Sequence, residues 1–384
     1  MAKNKNSNFV LFMLLSLYAL ALTALSPVVA EVSKQLPDID AGLIFTMTFA
    51  GFICFALVGG RAANKIGKKK VLLFALLCLI PAFPAFAFSK IPLLSYVSVL
   101  LIGGCGGIIE SLAAAFLADN NPRNPDYYVN VSHIYFGIAA IGAPLLVSWM
   151  ISREINYALY YVFLSAVSAV LMFVLMGTRF EHDGKAPPES FRMSSFLKEK
   201  GFILICAALL CYTGAEVAAW GWLSSTLQFQ SEFSVMQAGV AVSLFWTAMT
   251  AGRLLCGRML KFYPAKRLLA VLGVVSAVVS FAMAFASGVF MVYCMVVLLG
   301  LGCSSMFPFL NTYGAAQSKL PTGSSYSILM VSGGLGSTFI PYLVGAVEKS
   351  DYSMYSNYIF VALFAAVVIC VLAAGRLAAA DKRN

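Results

Sequence analysis

Gly59–Lys70 reads GGRAANKIGKKK, a basic stretch between two runs too apolar for water. Ala41–Val58 before it and Val71–Phe88 after it carry no charged side chain, and each approaches the ~20 apolar residues that cross a bilayer. Arg61, Lys65, Lys68, Lys69 and Lys70 give the stretch five positive charges and no negative one. Gly60–Lys70 is therefore expected to be a turn between two membrane helices, held on the cytoplasmic side by the positive-inside bias.

The pattern returns. Residues 251–270, AGRLLCGRMLKFYPAKRLLA, again join two apolar runs through a Gly-Arg and further basic residues, and Gly252-Arg253 follows Gly60-Arg61 by 192 residues, half of the chain's 384. A period of half the chain in a polytopic protein implies two parallel repeats related by an axis along the membrane normal. Apolar runs place spans at 9–32, 40–60, 71–89, 92–118, 128–150, 157–177, 201–228, 236–256, 267–286, 289–316, 323–346 and 355–377. The expected fold is an all-α membrane protein with twelve transmembrane helices in two pseudo-symmetric six-helix bundles, 1–177 and 201–384. The one long connector, 178–200, is charged and contains Pro187-Pro188, and it serves as the cytoplasmic linker between the halves. Twelve spans with basic ends put both termini in the cytoplasm.

Composition agrees, with 61% hydrophobic and 11% charged residues and a mean hydropathy of +0.87. A net charge of +10 would suit nucleic acid, but of the 26 Lys and Arg all except Lys34, Lys90, Arg153 and Lys349 fall in the segments assigned to the cytoplasm or in the ends of the spans that adjoin them. The charge is topological, and no nucleic-acid partner is expected. Residues 1–30 imitate a signal peptide, yet the apolar run from Phe9 to Ala30 is longer than a signal core, and it reads as a retained first helix. The nine cysteines lack metal or disulfide spacing. Gly60 and Gly67 do not have the spacing of a phosphate-binding loop, and Lys69 stands where Ser or Thr would follow the lysine. Neither an enzyme nor a cofactor or metal is expected, and transport has to run on an ion or solute gradient.

Gly60, Ala63, Asn64, Lys65, Gly67, Lys68 and Lys69 stand in an order that resembles the loop between helices two and three of the major facilitator superfamily, with Asn64 where an Asp is usual. In that family the loop helps to latch the cytoplasmic gate. The resemblance implies a gating role for Gly60, Asn64, Lys65, Gly67 and Lys68, and for Arg253 in the repeated copy. Asn64 keeps a hydrogen-bonding group there without the charge.

Three ionisable groups lie at hydrocarbon depth: Glu110, His133 and Glu216. Such groups are costly against lipid and are functional candidates by default. Glu110 lies about 13 Å in from Asp119, and His133 about 8 Å in from Tyr128 on the antiparallel neighbour, so the two can meet as a proton-coupling pair or as a bond fastening two helices. Tyr212, Glu216 and Trp220 recur every four residues on one face. A ring beside a carboxylate suits a sugar's C–H face and hydroxyls, and it equally suits helix packing. Asn311, on a helical face with Ser304 and Pro308, is a ligand candidate or a helix-to-helix hydrogen bond. Pro308 and Pro341 are expected to kink their spans and to free carbonyls that need partners.

GGIIESLAAAFLAD around Glu110, NVSHIYFGIAAIGAP around His133 and YTGAEVAAWGWLSSTL around Glu216 resemble helices four, five and seven of the fucose, galactose and glucose to proton symporter branch, the fucose permease-like transporters. The matched positions are Glu110; His133, Phe136 and Gly137; and Tyr212, Gly214, Glu216 and Trp222. The fucose permease after which the branch is described carries an acidic residue in helix one, where Phe9–Ala30 has none. The resemblance implies a monomeric secondary transporter of the plasma membrane that takes a small neutral, sugar-like solute by alternating access. Protons are the coupling ion and sodium the alternative. Glu110 and His133 are then the coupling residues, and Tyr212, Glu216, Trp220, Trp222 and Asn311 hold the solute. An exporter of drugs or metabolites, or a membrane sensor or scaffold of the same fold, are the competing readings.

Overall fold

A computed structural model describes residues 2–121, 125–180, 199–230, 233–260, 262–319, 322–348 and 356–381. Among them the regular structure is helical: α1 (Ala2–Thr23), α2 (Leu25–Gln35), α3 (Ala41–Ile66), α4 (Lys68–Ala87), α5 (Pro92–Asn120), α6 (Pro125–Ser152), α7 (Ala158–Gly177), α8 (Lys200–Gln230), α9 (Val235–Met259), α10 (Ala265–Met283), α11 (Val289–Cys303), α12 (Met306–Gln317), α13 (Thr322–Glu348) and α14 (Ser356–Asp381). Twelve stretches of the described residues are long and apolar enough to cross a membrane, with α11 and α12 sharing one. Most of the expected linker, 181–198, lies outside the described residues.

The basic stretch differs from its reading as a turn. Apart from Gly67, all of it is helical, with α3 running to Ile66 and α4 starting at Lys68. Arg61, Ala62, Ala63 and Lys65 are good helix formers, and nothing among them breaks a helix. Gly67 ends it with φ at 95°, its N–H bonded to the Ala63 carbonyl at 2.9 Å. At 26 residues α3 is about 39 Å long, more than a ~30 Å hydrocarbon layer, so its charged last turns extend into water.

Prolines set the other breaks. Span one divides at Ala24, three residues before Pro27, and span ten at Ser304-Ser305, three residues before Pro308. In each case the proline is the third residue of the second segment, where its missing N–H is tolerated. Pro341 lies inside α13, which continues through it. Pro84 lies inside α4 and leaves the Ile80 carbonyl without its N–H partner, and Ser165 of α7 donates to that oxygen at 2.6 Å.

The chain divides into two compact units, Met1–Pro188 with Ser234–Ser243, and Glu189–Phe233 with Leu244–Asn384. The division at 188–189 falls between spans six and seven, and the first turns of α9 group with unit 1. Ser243 there donates to the Ile141 carbonyl at 2.9 Å. Each unit repeats one packing plan. Span one packs on span five and span three on span six as α1 on α6 and α4 on α7, and then as α8 on α13 and α10 on α14. Spans two and four meet through glycine. A Cβ on Gly107 would stand 2.3 Å from the Phe52 carbonyl oxygen, and one on Gly300 would stand 2.5 Å from that of Phe245. Both residues of the second contact lie 193 positions after their counterparts. Close helix approach of this kind replaces the hydrophobic effect as the packing force in lipid.

Candidate functional site

In unit 1 the polar centre forms around Glu110, half-buried on α5. Gly106, one turn earlier, leaves room for the Tyr18 ring of α1, which a Cβ at 106 would meet at 2.0 Å. That places the Tyr18 hydroxyl, 3% exposed as a residue and without a hydrogen-bond partner, in electrostatic reach of the Glu110 carboxylate. The ring stacks on Phe52 of α3 at 6.0 Å and meets Phe136 of α6 edge-on at 6.2 Å. Phe136 in turn lies 6.5 Å from the imidazole of His133, one turn back on α6. A carboxylate and a phenol thus meet beside one aromatic cluster, whose Phe136 ring also neighbours the His133 imidazole.

In unit 2 the centre forms around the break in span ten. Pro308 has no N–H to offer the Ser304 carbonyl four residues back, and Arg253 of α9 donates to that oxygen through Nε at 3.0 Å. Tyr212 of α8 donates its hydroxyl to the adjacent Cys303 carbonyl at 2.8 Å. The Glu216 carboxylate, half-buried on α8, lies in electrostatic reach of both Arg253 and Tyr212. Two main-chain oxygens and one carboxylate are thereby matched by a guanidinium and a phenol, which supplies partners to a broken helix.

This geometry assigns structural work to several residues that the sequence suggested for solute. Tyr212 is 0% exposed and Trp220 1%, with the Trp220 ring 5.8 Å from Trp246. Trp222 donates its indole N–H to the Pro341 carbonyl at 2.8 Å, which is not the carbonyl that this proline frees, that of Ser337 four residues back. Asn311 donates to Phe307 O at 2.9 Å, while its buried Oδ1 has no hydrogen-bond partner.

The basic stretch is braced within unit 1. Lys68 pairs with Asp119 at the end of α5 and stands 5.1 Å over the Phe116 ring. Lys69 donates to the Met176 and Thr178 carbonyls at 2.9 and 2.8 Å, at the C-terminal end of α7. Gly60 and the half-buried Asn64 sit within α3, Lys65 is exposed in its last turn, and Gly67 is the stop. Arg253, given a gating role by the resemblance of the repeated copy, is inside α9 and points at span ten. Tyr18 and Ser304 are the contributors that sequence reasoning left without a role. The position four residues before Pro308 was the available signal for Ser304.

The family model described as Major Facilitator Superfamily matches residues 11–341. The chain belongs to this superfamily. Membership makes it a multi-pass membrane transporter rather than an enzyme. Among its relatives, Protein TsgA of Shigella flexneri is 22% identical over 343 residues, covering 88% of this chain and 86% of the relative. The TsgA homolog of Buchnera aphidicola is 21% identical over 330 residues, covering 84% of each. Similar solved structures include a mutant of the nucleoside transporter NupG, with a TM-score of 0.78 at 14% identity over 97% of this chain and 99% of that one. The Escherichia coli fucose:proton symporter FucP superposes with a TM-score of 0.68 at 17% identity over the same shares. At these identities the structures speak for the fold.

Proposed function

We propose that this protein is a proton-coupled secondary transporter of the cytoplasmic membrane, with both termini in the cytoplasm, and that it carries a small neutral, sugar-like solute by alternating access. The observation that carries the reading is the cluster in unit 1. Glu110 at hydrocarbon depth has beside it the Tyr18 hydroxyl, buried and without a hydrogen-bond partner, and the His133 imidazole one ring further on. A carboxylate at that depth is costly as a fixed charge and serves well as a site that gains and loses a proton. The unbonded phenol and the faces of Phe52 and Phe136 suit a solute with hydroxyls on one side and C–H bonds on the other. NupG is described as a nucleoside transporter and FucP as a fucose:proton symporter, which supports a solute of this class.

The test is uptake into proteoliposomes with an imposed pH step, over a panel of labelled sugars, polyols and nucleosides. At least one solute is expected to accumulate above its outside concentration, and a protonophore is expected to abolish the accumulation. Uptake indifferent to the pH step would remove proton coupling. Failure of every member of the panel to enter the vesicles would remove the solute class.

A further inference from the structure

We propose that unit 2 holds a second ligand site, for a small hydrophobic amine in its ammonium form, in the pocket where α8, α10 and α13 end and α14 begins. The pocket has about 530 Å³ of empty space, a figure that includes open solvent at its mouth. The aromatic rings of Trp222, Phe245 and Phe360 form much of its wall. Its polar groups are few. Among the described residues Glu348 is the one ionisable side chain in the lining, and Thr226 donates its hydroxyl to the Glu348 carboxylate at 3.4 Å. The hydroxyl of Ser280, a residue 2% exposed, belongs to the lining and has no hydrogen-bond partner.

Charge and hydrogen bonding select the ligand. A carboxylate facing apolar walls repels an anion and favours a cation. A buried hydroxyl without a partner costs free energy until a donor or acceptor reaches it. An alkylammonium brings three N–H donors for Glu348 and Ser280, a positive charge for the ring faces, and a chain for the aliphatic wall. A neutral alcohol can answer Ser280 but not the carboxylate. Glu110, His133 and Arg253 do not line this pocket, so the site stands or falls independently of the transport reading.

The experiment titrates the full chain in lipid nanodiscs at pH 7 with n-hexylamine, n-hexanol or hexanoate and follows tryptophan fluorescence, because Trp222 is in the wall. Hexylammonium is expected to give a saturable change, and hexanoate none. Glu348→Gln is expected to weaken hexylammonium by at least about tenfold, as for the loss of a charged hydrogen bond, and to leave n-hexanol unchanged. Glu348→Asp, which keeps the charge, is expected to restore most of the affinity. Ala219→Phe, a lining position away from the carboxylate, is expected to fill the pocket and abolish the signal. Equal affinities of hexylammonium and n-hexanol for the unaltered chain, an affinity indifferent to Glu348→Gln, or no saturable response to hexylammonium would each overturn the site.

Discussion

Arg253 sits on the unit 2 side of the repeat where unit 1 has the exposed Arg61, and one hydrogen bond separates their fates. The Arg253 guanidinium reaches Ser304 O at 3.0 Å and stands near Glu216, whereas Arg61 faces outward from α3. Removing a partly buried cation leaves a carboxylate and a carbonyl unmatched, which typically costs ~3 kcal/mol or more. Arg253→Ala is therefore expected to lower the melting temperature of the purified protein sharply. Adding Glu216→Gln should recover part of the loss, because the charge left behind is then gone. If the double substitution melts no higher than Arg253→Ala alone, the two groups are not coupled. Tyr212→Phe loses the bond to Cys303 O without changing shape and should cost ~1–3 kcal/mol. The residue types here were legible in the sequence, but their work was not. A Tyr and a Trp near a carboxylate suit a sugar or a main-chain carbonyl equally well, and only the tertiary placement of Cys303 and Pro341 decides that the phenol and the indole face main chain.

At the level of elements, the apolar runs defined the spans because hydropathy and length alone decide what can cross a bilayer. Their breaks were less legible. Pro308 was readable as a kink. Pro27 was not read as one, although it divides span one in the same manner. The basic stretch misled in the other direction, since charge marks a membrane edge but does not stop a helix. Gly60 and Gly67 look alike in sequence and differ in backbone. Gly60 is helical with nothing within 4 Å of an added Cβ, while Gly67 holds φ at 95°. Gly60→Ala should accordingly be neutral to stabilising by up to ~1 kcal/mol. Gly67→Ala should destabilise by ~1–3 kcal/mol through forced left-handed backbone. Thermal unfolding of the two variants side by side checks this, and equal shifts would contradict the stop at Gly67. The same logic applies to Glu154, which has φ at 59° after α6. Glu154→Gly relieves strain of ~1 kcal/mol, so a small rise in melting temperature is expected.

Across the whole molecule, the two units share a packing plan but carry different chemistry at their centres. The half-chain period was visible in the Gly-Arg pairs, and the Gly107–Phe52 and Gly300–Phe245 contacts repeat it at atomic scale. What diverged is the electrostatics. The unit 1 carboxylate stands beside a phenol and an imidazole-bearing helix, and that of unit 2 beside a guanidinium. We assign proton exchange to the carboxylate beside the phenol at hydrocarbon depth, and packing around the break in span ten to the one beside Arg253 and Tyr212. Glu110→Gln keeps the shape and a hydrogen-bonding carbonyl but cannot titrate. It should abolish accumulation against a gradient while leaving exchange of solute down its own gradient intact. Glu216→Gln should lower stability through Arg253 yet keep uphill transport in the protein that remains folded. The decisive measurement is solute-induced proton uptake by weakly buffered proteoliposomes, normalised to folded protein. Loss of the proton signal in Glu110→Gln with its retention in Glu216→Gln is the expected result. The opposite pattern would move the coupling group to unit 2 and leave Glu110 as a helix fastener.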